Sequence, residues 1–188
     1  VLFEEYEVIY EDLRDVISEF ISGYTHPEDY KSTYIYNGEE RSIGRKAALT
    51  GLASDICFSI FFQTPVINNE AINKDEITSI ANNSRSKILS GLLRNVLEPN
   101  LGLTGTGQEV SIMRSTLLRK GVLLDDEEGT RINLSPPDER MKGVLDIIVS
   151  FIMDAKKKGT ASFDQLYHEL KAPEYHIGMR SGMIPIYI

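Results

Sequence analysis

The spacing of apolar residues along this chain predicts helices nearly throughout. Between Phe3 and Ile21, apolar residues recur in steps of three and four: Phe3, Tyr6, Ile9, Tyr10, Leu13, Val16, Ile17, Phe20 and Ile21. Glu5, Glu11, Asp12, Asp15 and Glu19 fall between them, which is the pattern of an amphipathic helix closed by Gly23. Asn37-Gly38, flanked by Tyr34-Ile35-Tyr36 and Glu39-Glu40-Arg41, is the residue pair of a tight hairpin turn. Residues 46–62 carry Ala48, Leu49, Leu52, Ala53, Ile56, Cys57, Ile60 and Phe61 at helical spacing and read as a well-buried helix that stops at Thr64-Pro65.

Asn73, with Glu76 three residues later, predicts a capped start for a long helix through Ile77, Ile80, Ile88, Leu92 and Val96, ending at Pro99. The loop Gly102–Gly107 leads into a short helix with Val110, Met113, Thr116 and Leu117, closed by Gly121. Val122-Leu123-Leu124 and Arg131-Ile132-Asn133-Leu134 read as strands about an acidic turn. Ser135 followed by two prolines predicts the start of a helix running to Lys156-Lys157-Lys158-Gly159. Ser162 to Gln165 forms a capping box for a further helix stopping near Pro173, and Gly178–Ile188 reads as a last helix. The expected fold is therefore mainly α, a helical bundle with winged-helix-like units. A first domain spans 1–134, and a second helix-turn-helix-like unit, cut short at its end, spans 135–188.

Composition narrows the class. The chain has 188 residues, 41% of them hydrophobic and 26% charged, which suits a globular protein rather than a disordered or disulfide-stapled one. Its apolar runs are far shorter than the roughly 20 residues needed to cross a bilayer, so a membrane is not an expected partner. The single Cys57 can form no internal disulfide, which points to a reducing, cytoplasmic setting. The start at Val1 and the apolar end Ile184–Ile188 are read as the limits of an excised piece, whose first partner is the remainder of a larger parent chain.

Charge is unevenly placed. Residues 1–40 hold 2 basic and 11 acidic residues, 41–120 hold 10 and 6, and 121–188 hold 8 and 11, for a net charge of −8. The basic middle makes DNA a candidate partner through Arg85, Lys87, Arg94, Arg114, Arg119 and Lys120, with Arg114, Arg119 and Lys120 on or beside the element that would read a groove. Two features oppose this: the acidic cluster Asp125–Glu128 on the wing and the overall acidity.

No catalytic signature is present. After Gly107 come Gln108-Glu109, where a phosphate-binding P-loop would need lysine and a hydroxyl residue, so the glycine loop is read as a connection. Asp125–Glu128 lacks calcium-loop spacing, and His168, His176 and Cys57 share no local motif. No catalytic residue, metal ligand or cofactor is assigned.

Three stretches resemble segments of a known family: Thr64–Glu70 with the helix that follows; Ser111–Leu118 with Gly121; and Ser162–Leu170 with Pro173, Tyr175, Gly178-Met179-Arg180 and Gly182–Pro185. Together they are similar to segments of large bacterial multidomain P-loop ATPases associated with phage defence, of the BREX type. The resemblance spans about residues 60 to 188 and implies a helical, winged-helix-like module downstream of an ATPase domain. The expected function is accordingly a non-catalytic module that mediates nucleic-acid or protein interaction. A pure protein-interaction scaffold is the alternative, supported if Met179, Met183, Ile186 and Tyr187 form an exposed patch, and an uncharacterised enzyme fragment is the third class.

Overall fold

The structure, a computed structural model, describes residues 2–29 and 32–188, with side chains from Tyr6 onward. It is mainly helical with two small antiparallel hairpins, and it divides into two compact units, Val1–Ser59 and Ile60–Ile188.

In the first unit, α1 (Leu2–Thr25) continues two residues past Gly23. Strands β1 (Tyr34–Tyr36) and β2 (Glu39–Arg41) pair antiparallel. Their turn is the expected one, since Asn37 and Gly38 take φ values of 54° and 78° and asparagine and glycine tolerate that left-handed backbone best. Helix α2 (Lys46–Ile60) forms where its periodicity predicts, but it is not the buried helix expected: none of its residues is buried, and Phe58 is 66% exposed. Among the described side chains of this unit only Pro27 is buried.

The second unit holds the core. Helix α3 (Ser79–Leu92) starts later than expected, because Thr78 rather than Asn73 is its N-cap, its hydroxyl accepting from the Ala81 amide. Between the expected and the observed N-cap, Asp75 accepts from Lys171, Arg180 and Ser181, on segments about a hundred residues away in sequence. After a turn at Pro99–Gly102, α4 (Gln108–Met113) runs directly into a π-helical turn, Arg114–Leu118. The hydroxyls of Ser115 and Thr116, both buried, bond back to the Ile112 carbonyl at 3.0 and 2.7 Å and compete with the regular ladder there. Strands β3 (Leu123–Asp126) and β4 (Gly129–Ile132) follow as a hairpin with a tighter turn than predicted.

Helix α5 (Glu139–Lys158) is capped by Asp138, not Ser135. Pro137 disfavours helical backbone at Pro136, so Ser135 cannot be the N-cap, and the Asp138 carboxylate accepts from the Arg140 and Met141 amides instead. It ends as predicted at Gly159, in the left-handed region, and α6 (Phe163–Lys171) is capped by Ser162 as predicted.

The last stretch corrects the sequence expectation. Gly178–Ile188 is not a helix but a run of turns with a short 3-10 segment, Ile184–Ile186. Its backbone is claimed by tertiary bonds: the Met179 amide donates to the Leu170 carbonyl at 2.7 Å and the Gly182 amide to the Lys74 carbonyl at 2.8 Å. At Gly182 a Cβ would lie 2.5 Å from the Ile72 carbonyl oxygen, so only glycine permits this approach. The apolar end of the chain is thereby buried in the core with Ile72, Ile88, Ile112, Met113, Leu117, Leu123, Met141 and Leu166. That core draws on residues from both sides of position 135.

Candidate functional site

The six candidate cations divide by what their side chains already touch. Lys87 pairs with Glu109 at 2.7 Å, and Arg94 pairs with Glu98 one turn along. Arg85 donates to the Gly182 carbonyl at 3.0 Å and to Asn82 at 2.7 Å, tying α3 to the C-terminal turn. Lys120, half-buried, pairs with Asp138 at 3.0 Å, and Asp138 also accepts from the Arg140 and Met141 amides. Burial works against the Asp138 charge, but the Lys120 ammonium and the two amides outweigh it and hold the carboxyl below its usual range. Lys120 thus serves the start of α5.

Arg114 and Arg119 differ from the other four. Both are exposed, and neither makes a side-chain hydrogen bond or ion pair among the described residues. They line one small hollow of about 200 Å³ with Asn68, Thr106, Ser111 and Ser115. In a regular α-helix, positions five apart are rotated by roughly 140°, onto different faces. Here the π turn intervenes, with the Arg119 amide donating to the Arg114 carbonyl at 2.9 Å, and the two arginines reach the same hollow. Periodicity alone missed this, because it assumes a uniform turn. The adjacent Ser115-Thr116 pair is the signal that could have raised it.

The hairpin tip is partly neutralised. Arg131 forks onto Asp126 at 2.6 and 3.0 Å and holds that carboxyl below its usual range. Asp125 accepts from the Asn100 amide and the Thr130 hydroxyl, both at 2.9 Å. Glu127 and Glu128 remain exposed.

A second hollow, about 600 Å³, is an apolar groove walled by Leu92, Leu93, Leu134, Phe163, Tyr167 and Ile188, among others. The exposed patch over Met179, Met183, Ile186 and Tyr187 does not exist, since these residues are 1–7% exposed and belong to the core. His168 is on the surface beside Glu174, while His176 directs Nδ1 at the Ile60 carbonyl, 2.7 Å away, and lies against the Phe62 ring. Cys57 is exposed in the first unit. Among the described residues no three His, Cys, Asp or Glu side chains gather as a metal site, and no helix is long and apolar enough to cross a membrane.

The geometry defines a mainly helical domain with a two-arginine hollow. No family model, no curated protein and no solved structure matches the chain.

Proposed function

We propose that residues 60–188 act as a non-catalytic, winged-helix-like interaction module that meets the phosphates of a nucleic acid through Arg114 and Arg119. The observation that carries this is the contrast among the six cations: four are engaged internally, whereas these two share one polar hollow and have no partner among the described residues. Guanidinium groups with neighbouring hydroxyl and amide side chains are phosphate chemistry. The order α3, α4 and hairpin supports the winged-helix description, with Arg114 and Arg119 on the second helix of the pair. The exposed Glu127 and Glu128 limit the footprint to that helix. In an ATPase of the kind the sequence resembles, such a module would contribute nucleic-acid contact and no hydrolysis.

Two phosphate contacts imply a salt slope near −2, so affinity for a labelled duplex or single strand falls about tenfold between roughly 50 and 200 mM salt. Fluorescence anisotropy measures this, and replacing both arginines with alanine flattens the slope. Absence of binding at the lower salt, or binding indifferent to the double substitution, refutes the proposal. The second reading, a protein-interaction scaffold without nucleic-acid contact, is favoured by the outward apolar residues of α1.

A further inference from the structure

Helix α1 is exposed on every side from Tyr6 to Ile21, yet its apolar residues are 49–67% exposed and far from randomly placed. Tyr6, Tyr10, Leu13, Ile17, Phe20 and Tyr24 follow steps of four, three, four, three and four, which is the a/d repeat of a coiled coil. Ile9 and Val16 fall at g and widen the stripe, while Glu11, Asp12, Asp15 and Glu19 occupy the outward b, c and f positions. Glu7 and Arg14 stand at successive e positions, and Arg14 is the only basic residue of the helix.

We infer that α1 is a dimerisation helix whose occupant is α1 of a second copy of this chain, running antiparallel. The orientation follows from charge complementarity. Antiparallel a–d layers pair Tyr6 with Ile17 and Tyr10 with Leu13 of the other copy, each twice. In that register e faces e, so Glu7 meets Arg14 on both ends of the interface, and g faces g, so Ile9 meets Val16. A parallel pair sets e against g instead, leaving Arg14 beside Ile9 with no acid to meet. The stripe presents on the order of 1,000 Å² per copy, enough for two copies to reach the roughly 1,600 Å² of a standard stable interface. Helices in proteins draw most of their stability from packing an amphipathic face, so pairing also accounts for the helix itself.

Sedimentation equilibrium of the whole chain tests this. The expected mass is twice 21.2 kDa at micromolar concentration. The double substitution L13E/I17E places acids in the central layers and yields the monomer, with the unfolding transition of the second unit kept. Arg14→Glu replaces two attractions with two repulsions and weakens the dimer about tenfold, and E7R/R14E restores it, which only the antiparallel register predicts. A monomeric wild-type chain, a dimer that survives L13E/I17E, or a charge swap that fails to restore association overturns the inference.

Discussion

The two units use the same periodicity to opposite ends. In the second, helical apolar stripes converge: Ile88 of α3, Ile112 and Met113 of α4, Met141 and Ile148 of α5, and Leu166 and Leu170 of α6 all close on one core. In the first, α1 carries an equally regular stripe whose described residues stay 49–67% exposed. The difference lies in partners available, since amphipathicity determines that a face will be buried but not against what. A core can be assembled from within one chain only when several stripes face one another, as they do after Ile60.

The largest effect that would break this contrast is a cavity in the second unit. Ile112→Ala is expected to cost about 3–4 kcal/mol, because the side chain is fully buried and its neighbours cannot collapse around the void. Leu13→Ala should leave the same transition within about 0.5 kcal/mol, since Leu13 is more than half exposed. Urea unfolding followed by circular dichroism compares the two, and equal losses would mean that the stripe of α1 is no more exposed than the core.

Next in size is Gly182→Ala, expected to destabilise by about 2 kcal/mol through the clash of its new methyl with the Ile72 and Lys74 carbonyls. The same measurement applies, and a neutral result would detach the C-terminal turn from the 72–75 segment.

Much of this arrangement was legible locally. Asn37-Gly38, Ser162, Gly159 and the stop at Thr64-Pro65 act through neighbours within a few residues, so pattern and capping rules recover them. What escaped was decided at a distance. Helix α3 starts at Thr78 instead of Asn73, and in the segment between them the Asp75 carboxylate is held by Ser181, 106 residues away. The two arginines of the candidate site share a hollow across the π turn at Arg114–Leu118, where the buried Ser115 and Thr116 hydroxyls bond back to the Ile112 carbonyl. Their lack of partners among the described residues could not be seen without the positions of the acids.

The Asp75 cluster sharpens the comparison through pH. Hydrogen bonds from Lys171 foremost, then from Ser181 and Arg180, hold this carboxyl well below its ordinary range. A carboxyl depressed on folding adds stability that is present above its unfolded value near pH 4 and is lost as pH falls toward the folded value. Asp75→Asn is therefore expected to cost about 1 kcal/mol at pH 7, the half-exposed cluster being partly screened, and to flatten the loss of stability below pH 4. Thermal melts between pH 2 and 7 read both; an unchanged acid limb would show that the contact is decorative.

An effect no larger concerns Tyr187, the link between the C-terminal segment and the π turn. Its hydroxyl donates to the Thr116 carbonyl at 2.9 Å inside the core. Removing that hydroxyl in Tyr187→Phe leaves one carbonyl without this donor and is expected to cost about 1 kcal/mol at neutral pH. Burial, with a smaller contribution from the Asp138 charge, raises the phenol well above its ordinary range. A group raised on folding contributes stability that is complete below its unfolded value near pH 10 and fades as pH climbs past it, because ionisation then favours the unfolded chain. The wild-type protein should thus lose stability above pH 10 more steeply than Tyr187→Phe, with lysine titration common to both. Parallel alkaline slopes would place the phenol in water and move the C-terminal segment out of the core, making the second unit as open at its end as the first is along α1.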